Sequence, residues 1–151
     1  MRLTARSEYG LLALIDLGAR YGDGPVSARE ISQRQGVPGK FLEQLLAALR
    51  KAGIVSASRG AHGGFLLTRD PSEITVLEVV EALEGPLAPT VCDGGAQCER
   101  SGACAAAGVW AKATAALREV FLTTTIADLS NRQAQYDEST STGGQKERMA
   151  R

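Results

Sequence analysis

Long apolar runs are missing from this 151-residue chain. None exceeds five residues; the run at 11–15, within a largely apolar stretch 9–17, falls far short of the roughly 20 residues that span a bilayer, and Asp16 follows it directly. No transmembrane helix is expected. Net charge is missing as well: 17 basic side chains offset 17 acidic ones, which by itself argues against an obligate partner of nucleic acid or membrane. Histidine occurs once, at His62, and no nucleophile with a general base beside it can be named, so a thiol enzyme is a poor reading and no enzymatic activity is expected. At the N-terminus Glu8 precedes the apolar stretch and no cleavage-like spacing follows it, which predicts no export signal and a cytoplasmic chain. No internal repeat is present.

What is there is ordinary in amount and uneven in placement. A hydrophobic fraction of 44% with 23% charged residues allows one packed core and excludes wholesale disorder. Residues 1–70 hold ten Lys/Arg against six Asp/Glu, whereas residues 71–100 hold one against six. The positive charge is concentrated in the first half. The three cysteines, Cys92, Cys98 and Cys104, fall in one short segment, and an odd number in a chain for which no export signal is expected suits metal or redox chemistry better than disulfides.

Leu11, Leu14, Ile15 and Gly18 follow helical spacing and predict a buried first helix over about 4–20. Ser27 and Glu30 form a capping box that opens a short second helix, broken at 35–38. Leu42, Leu45, Leu46 and Leu49 mark one face of a third helix over about 38–52, ended by Gly53. Residues 54–58 and 65–68 read as strands flanking a Gly-rich, basic tip. A second capping box, Thr75 with Glu78, opens a fourth helix closed by Gly85-Pro86. The expected fold is mostly α with a small β-hairpin wing: a winged helix-turn-helix over 1–85, followed by a long C-terminal helix. Residues 86–104 form a cysteine-containing loop with almost nothing to bury. Residues 105–131 carry an amphipathic helix marked by Val109, Trp110, Ala113, Leu117, Val120 and Phe121, with a short capped turn at 125–128. Residues 132–151 are polar and are expected to form a disordered tail.

Two groups of residues carry chemistry. On the third helix, Lys40, Glu43, Gln44 and Ala47 share the face opposite the leucines, where a major groove would meet them. Glutamine can bond adenine at N6 and N7, glutamate can accept from cytosine N4, and Lys40 can reach a phosphate or guanine. The hairpin tip offers Arg59 for a narrow minor groove, with Gly60, Gly63 and Gly64 permitting close backbone approach. In the second group five residues separate each cysteine from the next, in a Gly-rich loop that lets three thiolates converge. This spacing matches neither the usual Cys-x2-Cys zinc pairs nor plant-type ferredoxins; it favours an iron-sulfur cluster and leaves zinc or free thiols open. The loop holds no fourth cysteine and no histidine.

Met1-Arg-Leu-Thr4, Phe41-Leu-Glu-Gln-Leu45, Leu49-Arg-Lys-Ala-Gly53, Arg59-Gly-x-x-Gly-Gly-Phe-Leu-Leu67 and the cysteine loop together resemble the Rrf2 family of bacterial regulators, in its IscR-, NsrR- and RirA-like iron-sulfur branches. The resemblance covers about residues 1–130. It implies a homodimer of winged-helix subunits joined by the helix at 105–121, with the cluster near the dimer interface. It also implies that Glu43 and Gln44 read bases and that Arg59 is the wing arginine, while Lys40 departs from the small polar residue of IscR-like proteins. Those proteins take a histidine ligand three residues after the third cysteine, where this chain has Ala107. NsrR-like members take a carboxylate from the partner's first helix, and Glu8 stands at the matching position; a histidine found one turn later in a related regulator is replaced by Leu12. The resemblance therefore implies Cys92, Cys98, Cys104 and Glu8 as ligands, and [4Fe-4S] ahead of [2Fe-2S]. The reading that follows is a homodimeric repressor that binds palindromic double-stranded DNA operators and senses nitric oxide, redox or iron status. The alternative is a zinc- or thiol-stabilised winged-helix module that contacts another protein and holds no cluster.

Overall fold

The computed structural model describes residues 3–88, 98, 100 and 103–148, the last eight by backbone alone. Helix α1 (Ala5–Ala19) begins at Thr4, whose hydroxyl accepts from the Arg6 amide. Helices α2 (Ala28–Gln35) and α3 (Gly39–Lys51) follow, joined by a tight turn in which Gly36 takes a left-handed φ of 65°. The Ser27–Glu30 capping box is formed, so α2 starts where its own hydroxyl and carboxylate satisfy free backbone donors. Strands β1 (Val55–Ser58) and β2 (Gly64–Leu67) pair antiparallel, with Val55 opposite Leu67 and Ser58 opposite Gly64. A short 3-10 turn (Pro71–Glu73) leads to α4 (Val76–Glu84), opened by the Thr75–Glu78 box. Helices α5 (Ala107–Thr123) and α6 (Ile126–Arg148) complete the chain.

The core lies between α1, α3 and α4. Leu14, Leu42, Leu45, Leu46 and Leu49 are fully buried there together with Ile31, Ile74 and Val79. Burying each such side chain contributes about 1.5–3 kcal/mol, so the leucine face predicted for α3 is its fixed inner surface. The wing joins this core through a backbone pairing that periodicity does not reveal. Val26 donates to Phe65 O at 3.0 Å and accepts from the Phe65 amide at 2.7 Å, so the residue before the α2 cap acts as a third edge of the hairpin. A Cβ at Gly64 would overlap the Val26 carbonyl, and one at Gly63 would overlap that of Ser58. These two glycines, expected to serve approach to DNA, are required inside the protein. Gly60 alone of the tip glycines is both open to solvent and at positive φ, 113°.

The C-terminal part departs from expectation. After α5 the chain returns beside the start of α4, where Thr75 and Thr125 pair and Ile126 donates to Ile74 O at 2.9 Å. The capped turn at 125–128 is present, with Thr125 accepting from the Asp128 amide, but it opens a 23-residue helix instead of ending there. Residues 132–148, expected as a disordered tail, continue α6. Ile126 and Ser130 are packed onto α1, and Gly18 leaves room for both, so nucleation is complete before the polar part begins. Arg132, Gln133, Ala134 and Gln135, all good helix formers, and a Gln133–Asp137 bond at 3.0 Å carry it into the polar part.

Asp16 sits inside α1 with its carboxylate buried and charged. Arg34 bonds it through Nε at 2.9 Å and Nη2 at 2.8 Å, Arg20 reaches it at 3.1 Å and Gln35 at 3.2 Å. Burial raises the Asp16 pKa, but the bonds from Arg34 and Gln35 and the charges of Arg20 and Arg34 outweigh it and hold the carboxyl below the usual aspartate range. This stabilisation is present above the unfolded value near 3.9 and is lost as pH falls through the lower folded value. Asp16→Asn should cost about 1–3 kcal/mol at neutral pH and should make unfolding less sensitive to acid below about pH 4; urea midpoints across pH check both. Gly64→Ala should cost a further, separate 1–3 kcal/mol or so by forcing β2 from Val26, visible as a lowered melting temperature.

Candidate nucleic-acid interface and cysteine segment

Helix α3 presents Lys40, Glu43, Gln44 and Ala47 to solvent while its leucines are fully buried, so the two faces predicted for it are realised. The α2–α3 turn is held by Ser32, whose hydroxyl donates to Val37 O at 2.6 Å, and by burial of Val37 itself. Arg50 and Lys51 lie in the last turn of α3, where cations complement the helix dipole, and both are exposed. At the wing tip Arg59, Gly60, Ala61 and His62 are exposed around a turn in which the Gly63 amide donates to Gly60 O at 3.0 Å. A basic hairpin tip and an exposed polar helix face thus belong to one rigid unit. The Asp16–Arg34 pair locks α2 to α1, which fixes the helix that carries α3.

The cysteine segment is described only in part. Cys98 is exposed and Cys104 half-buried, and both thiols are free; Cys92 lies outside the described residues. The Cys104 carbonyl accepts from the Ala107 amide at 3.2 Å, so this cysteine forms the turn that enters α5. Glu8 is exposed in the first turn of α1. Among the described residues no three Cys, His, Asp or Glu side chains converge as a metal site within one subunit, so Cys98, Cys104 and Glu8 are not brought together there. Helix α5 has no buried residue, and Val109, Trp110, Val120 and Leu122 stand exposed along it.

Two features escaped the motif reading. One is the buried Asp16 network, signalled in the sequence only by a carboxylate amid leucines. The other is Glu84, at the end of α4. Its Oε1 accepts from the Thr4 amide at 3.1 Å and hydroxyl at 2.6 Å, and from the Ser7 amide at 3.3 Å and hydroxyl at 2.7 Å. Burial raises the Glu84 pKa, and the donors on Thr4 and Ser7 more than offset it, leaving the carboxyl below its ordinary value. No local pattern links residues 4 and 84.

Comparison with known proteins places these features in a family. The family model described as Rrf2, iron-dependent transcriptional regulator, matches residues 3–132. The chain is 42% identical over 130 residues to the protein rrf2 of Nitratidesulfovibrio vulgaris, covering 85% of this chain and 87% of that one. It is 36% identical over 137 residues to the HTH-type transcriptional regulator IscR of Photorhabdus laumondii, covering 91% and 84%. Among solved structures it is similar to CymR, described as the global cysteine regulator of B. subtilis, with a TM-score of 0.76, 33% identity and coverage of 87% and 98%. None of the helices among the described residues is long and apolar enough to cross a membrane. With a winged helix-turn-helix, an exposed recognition face and matches of this extent, the chain belongs to the Rrf2 family and is a DNA-binding transcriptional regulator, not an enzyme.

Proposed function

We propose that two copies of the chain form a cytoplasmic repressor that binds palindromic operators and reports nitric oxide, redox or iron status through an iron-sulfur cluster held by Cys92, Cys98, Cys104 and Glu8 of the partner subunit. The observation that carries this reading is the placement of Cys104. It opens α5, a helix whose apolar face is uncovered in one subunit, so a second copy seated on that face would lie beside the cysteine segment. The donor chemistry fits. Cys98 and Cys104 are free thiols, soft donors suited to iron-sulfur ligation, and Glu8 is an exposed carboxylate on a helix start. Ala107 cannot ligate, which favours Glu8 as the fourth donor and [4Fe-4S] over [2Fe-2S].

When bound, such a cluster supplies iron reactive toward nitric oxide and oxygen, with the carboxylate corner the most exchangeable. The chain's own residues do the rest. Gln44 and Glu43 meet base edges, Lys40 a phosphate or guanine, and Arg59 with Gly60 the minor groove beside the recognition helix. In a two-fold dimer the α3 helices read half-sites roughly 34 Å apart, so a small shift of α1 and α4 against α5 is enough to change affinity.

A second reading has its own support. Both described thiols are free, Cys98 is exposed, and CymR, a similar protein, is described as a cysteine regulator. In that case the cysteines would respond directly to thiol oxidation, and no metal would be held.

Gln44→Ala should weaken the specific operator by about 1–3 kcal/mol and leave random duplex nearly unchanged. Equal losses on both, in fluorescence-anisotropy titrations at fixed salt, would remove Gln44 from base reading. Glu8→Ala should leave a folded dimer whose cluster absorbance decays faster than that of the parent protein. Identical decay would exclude Glu8 as a ligand.

A further inference from the structure

Helices α2, α4 and α6 each carry their own cap. Ser27 pairs with Glu30, Thr75 with Glu78 and Thr125 with Asp128, in each case a hydroxyl and a carboxylate three residues apart. Helix α1 differs. Its N-cap, Thr4, accepts from the Arg6 amide, but the position three residues on holds Ser7, which has no carboxylate to return. Glu84 supplies it from α4: one oxygen receives the Thr4 and Ser7 amides and both hydroxyls. The capping box of α1 is completed from another helix. Arg6 Nε donates to Leu83 O at 3.1 Å beside it, and Gly10 brings α1 so close to α4 that a Cβ there would overlap Leu83.

The α4 end that provides this cap is also the root of the cysteine segment. Glu81, one turn earlier, accepts from the Leu87 amide at 3.3 Å and from Arg118 of α5 at 3.1 Å. Two carboxylates one turn apart therefore hold, on one side, the start of the 86–104 segment and α5, and on the other the first turn of α1. Glu8 is the next residue after Ser7.

We propose that Glu84 is a positioning residue that sets the first turn of α1, and with it Glu8, from the root of the cysteine segment. This rests on the reading of Glu8 as a ligand given to the partner's cluster. Each subunit then couples the root of its own cysteine segment to the ligand it donates, so a disturbance of one cluster loosens the ligand of the other.

The test uses the full-length homodimer reconstituted anaerobically, comparing Glu84→Ala, Glu84→Gln, Glu8→Ala and the Glu8→Ala/Glu84→Ala double variant. Cluster loss to a chelator is followed by absorbance, and amide hydrogen exchange of residues 5–8 is measured on the cluster-free protein. Losing a cap should speed cluster loss about five- to tenfold in Glu84→Ala and exchange by a similar factor. Glu84→Gln, which keeps an acceptor oxygen, should recover most of the difference, and the double variant should lose its cluster no faster than Glu8→Ala. An unchanged rate in Glu84→Ala overturns the proposal, as does the same acceleration in both backgrounds, which would mark a purely structural role. A parental rate in Glu8→Ala alone overturns instead the ligand reading on which it rests. Should Glu84→Ala not fold, Ser7→Ala, which removes one hydroxyl bond, should give the same direction at about two- to threefold, and no change there is equally decisive.

Discussion

Helix α1 is enclosed by α2, α3, α4 and α6, and a helix packed on that many sides must find partners for the polar groups it buries. Each is answered by a neighbour. Glu84 caps its start, Arg34 and Arg20 pair with Asp16 in its last turn while Gln35 donates to the same carboxylate, and Ser130 of α6 donates to the Ile15 carbonyl at 3.0 Å. The apolar faces between these points supply most of the stabilisation, and the polar points decide which neighbour sits where. Removing one partner would leave a buried group unpaired, so the arrangement is specific as well as stable.

The regulatory parts of the molecule hang on these contacts. Through Asp16 and Arg34 the helix-turn-helix is fixed to α1; through Glu84 the root of the cysteine segment is fixed to it; through Gly18 and Ser130 so is α6. The recognition helix and the root of the cysteine segment are thus both tied to α1. On the proposed reading, a switch needs only to change the relative placement of two such units across α5. Coupling energies of about 1–3 kcal/mol, corresponding to 5- to 150-fold in affinity, are ordinary for this kind of transition.

What was legible in the sequence is what repeats locally. The leucine spacing of α3, the boxes at Ser27 and Thr75, and Gly53 at φ 76° all act within one or two turns, and each stands where its pattern put it. The contacts that orient these elements span long separations and leave no periodic trace. The Glu84 cap joins residues 80 apart, and Ser130 meets α1 across 115. Composition misread α6 because its first turn is nucleated by the packing of Ile126 and Ser130 onto α1, which the polar residues after it do not signal. The glycines of the wing were rightly marked as positions of close approach, but the approaching groups at Gly63 and Gly64 are the protein's own backbone. For the cysteines, a ligand set drawn from two subunits, as proposed, would have no expression in one chain's spacing. The family resemblance, not the residue pattern, suggested Glu8.

On the proposed reading the cysteine segment holds a cluster whose state governs operator binding. This is tested most directly by anaerobic purification of the homodimer, with iron and sulfide quantified per chain and operator affinity titrated before and after nitric oxide. The homodimer should hold about four irons and four sulfides per chain, and its affinity should shift by about 5- to 150-fold when the cluster is destroyed. A protein free of iron, whose operator affinity ignores nitric oxide and follows thiol oxidation, would contradict that reading.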